Sequence, residues 1–361
     1  MDDRWHLLAK QLVHGVGVEK GSKVSIFMTD SSAMDAVSTF VAECHRIGAV
    51  PQVLAVDEKF DRAAVAFANE ETLASAPPLE MLAMEWSDVH VSFRAMVTPS
   101  VDPLEERRIA IQKKGKGEVA AARWAKTRWC LVRIPSEEWA ELIGVSHGLL
   151  LDEFFAGCIA DWSEVERKQE RLCRLLSTAD SFRIVTPDTD LHLGVAGRKW
   201  ISFAGEANLP DGEIAIAPVD NDVNGHIGFE KEFWFSGVRI SGLRLEFLNG
   251  EVVAHSAREG EKFVSSILGT DVGARFVGEL GIGLNSYIQT VTGDLLIDEK
   301  ILGTVHIALG RAYPECRGVN ESSIHWDIIK DLRVRDAFLY ADQRAIISDG
   351  ELSPELQVFL G

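Results

Sequence analysis

The chain lacks any run of the roughly 20 apolar residues that a membrane-spanning helix requires, which argues against an α-helical membrane protein. It also lacks a basic surplus. Against 37 Lys and Arg stand 55 Asp and Glu, a formal net charge of −18. Phosphate binding depends on clustered Lys and Arg, so this balance argues against a nucleic-acid partner. Cysteine is scarce: Cys44, Cys130, Cys158, Cys173 and Cys316 are odd in number, scattered and free of any CxxC pair, as expected of reduced, mostly core thiols. The N-terminal stretch MDDRWHLLAKQLVHG has neither the basic head nor the continuous apolar segment of a signal peptide, so a cytoplasmic protein with no membrane partner is expected. A dinucleotide fingerprint is missing too. Gly15-Val16-Gly17 with Gly21 follows a helix and precedes a strand, the reverse of the order that aims a helix N-terminus at a pyrophosphate, and reads as a plain loop.

What is present begins with 361 residues, enough for two domains and a large core. The first half has a βαβ rhythm: a helix over 4–14, a strand over 23–28, a helix over 31–47, a strand over 52–56, helix to Trp86, a strand over 89–93, helix from about Pro103 to Lys126, a strand over 129–133 and a short helix from Ser136. Parallel strands covered by helices follow from that alternation. One long helix is expected from Leu150 to Ala179, with Leu172, Leu175 and Leu176 on one side. Beyond it the pattern changes to short alternating strands and tight turns. Asn249-Gly250 predicts a type I′ hairpin, and the glycines at 115–117 and 195–199 read as solvated turns. The fold class expected is α/β: an N-terminal α/β domain over 1–180 with a mostly parallel sheet, and a C-terminal β-rich α+β domain over 181–361.

Chemistry concentrates in the second half. Between Asp298 and Asp327 the sequence DEKILGTVHIALGRAYPECRGVNESSIHWD holds two histidines, five carboxylates and a tyrosine. Glu213 and Glu279 stand upstream in glycine-flanked apolar runs, GEIAIAP and GELGIG, where a carboxylate is costly unless a cation meets it. An oxygen-rich donor set leaves coordination positions open, whereas a closed cysteine set would indicate structural zinc. Two metals about 3.5 to 4 Å apart can polarise a carbonyl and lower the pKa of water to about 7. His306 in a strand can also be a core histidine, Tyr313 beside Pro314 a turn residue, and His325-x-Asp327 a local hydrogen-bonded pair. Trp326, between the last two, points away from them if the segment is extended. His226, His255 and His192 are reserve ligands, and Cys316 reads as a loop or packing residue.

These residues carry a resemblance. RIPSEEWAELIG (133–144), FAGEANLPDGEIAIAP (203–218), GELGIGLN (278–285), DEKILGTVHIALGRAYPE (298–315) and GVNESSIHWD (318–327) resemble, in that order, the aminopeptidase T family of metallo-aminopeptidases, in its DEK-type leucyl aminopeptidase branch. The resemblance implies a pair of divalent metals held by Glu213, Glu279, His306, His325 and Asp327, with Tyr313 and Glu213 as catalytic residues. Zinc, cobalt and manganese all suit these donors. It further implies a homodimer and release of an N-terminal residue from a peptide. Two more residues separate the Asp-Glu pair from the histidine than in the DENAxCHIALG form, so Glu299 is either a further ligand or a solvated charge beside Lys300.

Two other activities fit the same residues. A hydrolase of a small non-peptide amide would retain every ligand. Ring-opening dioxygenases of hydroxypyridines resemble these peptidases but hold one iron by two histidines and an aspartate. The intact glutamate pair favours the two-metal hydrolase.

Overall fold

Buried β-branched and aromatic runs form the centre of the first compact unit. The computed structural model describes residues 2–97 and 106–360. Its four main strands lie side by side in the order Val50–Ala55, Lys23–Met28, Val89–Ala95 and Arg128–Ile134, all parallel, with Asn208–Leu209 added parallel at the edge. Val24, Ile26, Val91, Phe93, Cys130 and Val132 are fully buried, as expected of strands covered on both faces by helices. Helix starts carry the capping chemistry the sequence offers. Ser136 and Ser146 accept from the amides of Trp139 and Leu149, opening the helices Glu137–Ile143 and His147–Cys158.

One buried histidine of this sheet makes stability depend on pH. His90 is 2% exposed, and its Nδ1 lies 2.9 Å from Ser25 Oγ. Burial, with the charges of Arg123 and Arg94, pulls its pKa down from 6.5 to about 3. The unfolded chain therefore takes up a proton that the folded chain refuses. The contribution is complete above pH 6.5 and is lost as pH falls toward 3. Between pH 7 and pH 5 the wild type should lose about 2 kcal/mol more than His90→Asn. Equal losses in denaturant titrations at the two pH values would contradict this.

Three sequence expectations change. The helix from Leu150 to Ala179 is two helices, His147–Cys158 and Trp162–Leu176, because Asp161 caps the second by accepting from the Glu164 amide. The glycines at 115–117 lie inside the helix Glu106–Lys126 rather than in a turn; a Cβ on Gly115 would stand 2.4 Å from the Ser75 carbonyl oxygen, so the glycine permits a close backbone approach. The start of that helix at Pro103 falls outside the described residues. The chain separates into compact units of Met1–Ile159 with Gly205–Pro210, and Ala160–Ala204 with Asp211–Gly361, where the sequence placed a boundary at 180. The division comes earlier because Leu172, Cys173 and Leu176 join the core of the second unit.

That second unit is antiparallel. An eight-stranded sheet runs from Glu251–Ser256 through Leu243–Leu248, Val223–Phe229, Thr189–Gly194, Ser181–Thr186, Phe338–Ala341 and Arg344–Ser348 to Glu351–Leu352. The hairpin turn at Asn249-Gly250 has φ of 51° and 87°, as a type I′ turn requires. A five-stranded sheet has the order His325–Asp331, Thr304–Gly310, Val277–Gly283, Glu213–Ile216 and Ile201–Phe203. One apolar cluster holds residues of both sheets, including Ile184, Leu191, Ile227 and Leu245 from the larger and Ile214, Leu280, Ile307 and Ile328 from the smaller.

Candidate metal centre

The two-residue period of a strand sends alternate side chains to opposite faces. In the five-stranded sheet, Ile214, Leu280, Ile282, Val305, Ile307, Trp326 and Ile328 enter the apolar cluster. The intervening positions carry Glu213, Glu279, His306, His325 and Asp327 on the other face. Register brings them into rows. Glu279 lies opposite Ala308, which lies opposite Asp327; Gly281 lies opposite His306, and Gly310 opposite His325. Small residues thus alternate with donors and leave space between them.

All five expected ligands meet. His325 Nε2 is 3.1 Å from Glu279 Oε2 and 3.2 Å from Asp327 Oδ1. His306 Nε2 is 3.4 Å from Glu279 Oε1 and 3.6 Å from Glu213 Oε2. His325 Nδ1 donates to the Arg311 carbonyl at 2.7 Å, which fixes the tautomer and leaves Nε2 to face the carboxylates. Three overlapping trios, Glu213–Glu279–His306, Glu279–His325–Asp327 and Glu299–His306–Asp327, each have donor atoms within 4.8 Å of one another.

The donor set fits a divalent cation on three counts. It is made of carboxylate oxygens and imidazole nitrogens with no thiolate. Glu213 Oε2 and His306 Nδ1 are buried without a hydrogen bond, a costly state for polar atoms in the interior. A Cβ on Gly281 would stand 2.0 Å from His306 Cε1, so the imidazole lies in a place only glycine leaves open.

The electrostatics show the same demand for positive charge. Burial pushes Glu213 up to about 7 even though Lys300 and His306 oppose it. For His306 burial works downward, but the hydrogen bond with Glu279 and the charges of Glu213 and Glu279 prevail and lift it to about 9. Burial likewise opposes protonation of His325, yet Asp327 and Glu279 hold it well above its ordinary value. Tyr313 sits with its ring centroid 5.0 Å from that of His325. Burial and the surrounding carboxylates raise its hydroxyl well above the usual range, so it keeps its proton.

Several sequence alternatives resolve. Glu299 is 4% exposed and 2.7 Å from Lys300 Nζ, not a solvated charge. Trp326 is fully buried and stacks on Phe235 at 5.4 Å between centroids, a core residue. Cys316 is buried, with Sγ 3.7 Å from the Ala215 carbonyl, and burial raises its thiol to about 12, consistent with packing. The reserve histidines lie elsewhere: His226 and His192 are on strands of the larger sheet, and His255 Nε2 is bonded with Ser265 Oγ at 2.8 Å. The sequence reading missed Lys300, which is fully buried among carboxylates.

Proteins of known activity are similar to this one over most of the chain. Aminopeptidase T of Thermus thermophilus is 28% identical over 366 residues, covering 87% of this chain and 88% of that protein. Aminopeptidase PepS of Streptococcus thermophilus is 24% identical over 376 residues, covering 89% and 90%. The solved structure of wild-type AmpT from Thermus thermophilus superposes with a TM-score of 0.81 at 24% identity, covering 97% of this chain and 98% of that one. A 2,5-dihydroxypyridine dioxygenase from Pseudomonas putida has a TM-score of 0.59 at 14% identity over 97% of each chain, a likeness of fold alone. A model of the thermophilic metalloprotease family M29 matches residues 2–351, and the chain belongs to that family.

Proposed function

We propose that this protein is an aminopeptidase that hydrolyses the N-terminal peptide bond of a peptide with two divalent metal ions held by Glu213, Glu279, His306, His325 and Asp327. The convergence of those five side chains on one face of the five-stranded sheet carries this reading. When bound, the metals supply Lewis acidity that polarises the scissile carbonyl and lowers the pKa of water to about 7. The protein's own groups do the rest. Glu279 lies between the two histidines and orders both. Glu213 directs one oxygen at Lys300 and the other toward His306, and that second oxygen is placed to accept a proton. The Tyr313 hydroxyl donates a hydrogen bond to the oxygen on which negative charge develops.

Zinc, cobalt and manganese all suit the donors, and the resemblance carries the homodimer. No helix among the described residues is long and apolar enough to cross a membrane, and the acidic balance argues against a nucleic-acid partner. The names of the curated aminopeptidase relatives favour a peptide over a small non-peptide amide as substrate.

The test is metal content measured beside hydrolysis of a panel of aminoacyl anilides. We expect two metals per chain, a loss of at least about a hundredfold in turnover on chelation, and recovery with zinc, cobalt or manganese. Turnover retained by metal-free protein would overturn the mechanism, and one iron per chain without amide cleavage would favour the oxygenase alternative.

A further inference from the structure

Lys300 is a cation built into the centre itself. Its side chain is fully buried, with Nζ 2.5 Å from Glu213 Oε1, 2.7 Å from Glu299 Oε1 and 3.6 Å from Asp211 Oδ1. The backbone around it is fixed on both sides. The Lys300 carbonyl accepts from the Asn285 amide at 2.8 Å, and the Leu302 amide donates to the Asn285 carbonyl at 3.1 Å. Just before it, Asp298 accepts from the amides of Thr292 and Gly293 and from the Thr292 hydroxyl. The segment is pressed so closely on the Glu279 strand that a Cβ on Gly283 would stand 2.2 Å from the Ile301 carbonyl oxygen. A side chain anchored in this way has no free path to solvent. The ammonium is a fixed part of the site.

We infer that Lys300 makes the two ends of the metal centre unequal, weakening metal binding at the Glu213 and Glu299 end and leaving the Glu279–His325–Asp327 end strong. The inference rests on the metal-dependent reading above. Of the three donor trios, two contain a carboxylate that the ammonium already engages, Glu213 in one and Glu299 in the other. The third, Glu279–His325–Asp327, contains none of the carboxylates that the ammonium contacts directly. A metal at the first end must share its carboxylates with Lys300 and bear repulsion from a positive charge a few ångströms away. With an effective dielectric constant of about 20, that repulsion costs more than tenfold in affinity. Lys300 is therefore a positioning residue: it holds two carboxylates in place and sets how firmly the second metal is kept.

The test is a zinc titration of the metal-free full-length protein by calorimetry, with bound zinc counted after dialysis, for the wild type, Lys300→Met and Lys300→Gln. Methionine keeps an apolar side chain of similar length without the charge, and glutamine keeps a donor for Glu213. In the wild type we expect one tight zinc and a second at least tenfold weaker. In both variants the second should tighten tenfold or more while the first changes less than threefold. Two equal affinities in the wild type overturn the inference without any variant. So does a folded variant whose second site stays as weak as before, or one in which both sites weaken together, the result of a merely structural role. If Lys300→Met fails to fold, judged by circular dichroism, Lys300→Gln must still show the tightening. A wild type that binds no zinc, cobalt or manganese would instead refute the metal-dependent reading itself, which separates the two failures.

Discussion

Glu279→Ala is expected to lower hydrolysis of aminoacyl anilides by at least about a thousandfold and to release bound metal, with the fold retained. The carboxylate is 3% exposed and stands between two imidazoles, 3.4 Å from His306 and 3.1 Å from His325. It belongs to two of the three donor trios, so its loss reaches both ends of the centre. Lewis-acid stabilisation by metals is worth several kcal/mol and each 1.36 kcal/mol is tenfold in rate, which sets the size of the effect. The fold should survive because backbone pairing on both sides of the Glu279 strand and the burial of Leu280 and Ile282 hold the strand, and neither needs the carboxylate. His325→Ala should behave alike. Metal analysis, anilide kinetics and circular dichroism decide the matter; full activity in either variant removes that residue from the assignment.

The five proposed ligands are legible in the sequence because each stands out locally. A glutamate between glycines in an apolar run, or a histidine in Val305 to Leu309, contradicts its surroundings unless something compensates it, and strand alternation shows which neighbours face the core. The hairpin at Asn249-Gly250 was legible for a similar reason, since positive φ at both positions has a residue signature. Lys300 was not. Beside Asp298 and Glu299 a lysine carries no local sign of burial, and only the tertiary fold, with Asn285 and Gly283 closing on the segment, buries it. The break between Cys158 and Trp162 was hidden by continuous helical composition, although Asp161 followed three residues later by Glu164 is a cap signal. Gly115 and Gly117 illustrate the opposite error, for turn propensity gave way to a helix of 21 residues packed beside Ser75.

Gly281→Ala should disable the centre without removing any proposed ligand. A methyl group there would lie 2.0 Å from His306 Cε1 and 2.1 Å from Nε2, well inside van der Waals contact. Neither partner can yield cheaply. Gly281 pairs with Ala215 on one side and His306 on the other in the middle of the five-stranded sheet, so its strand has neighbours holding it from both directions. The ring is 1% exposed and bounded by Glu279 and Glu213. The strain is relieved only by turning the imidazole away from the carboxylates. Overpacking of this kind costs about 1 to 3 kcal/mol of stability. Metal affinity and turnover should fall further, by about a hundredfold or more, because an imidazole moved by an ångström no longer meets both glutamates. Gly117→Ala supplies the control. It is an exposed helical position with nothing within 4 Å of the added methyl group, and alanine there should raise stability by up to about 1 kcal/mol with activity unchanged. Wild-type metal affinity in Gly281→Ala would mean that the His306 ring does not lie across that glycine, and would remove His306 from the proposed ligand set.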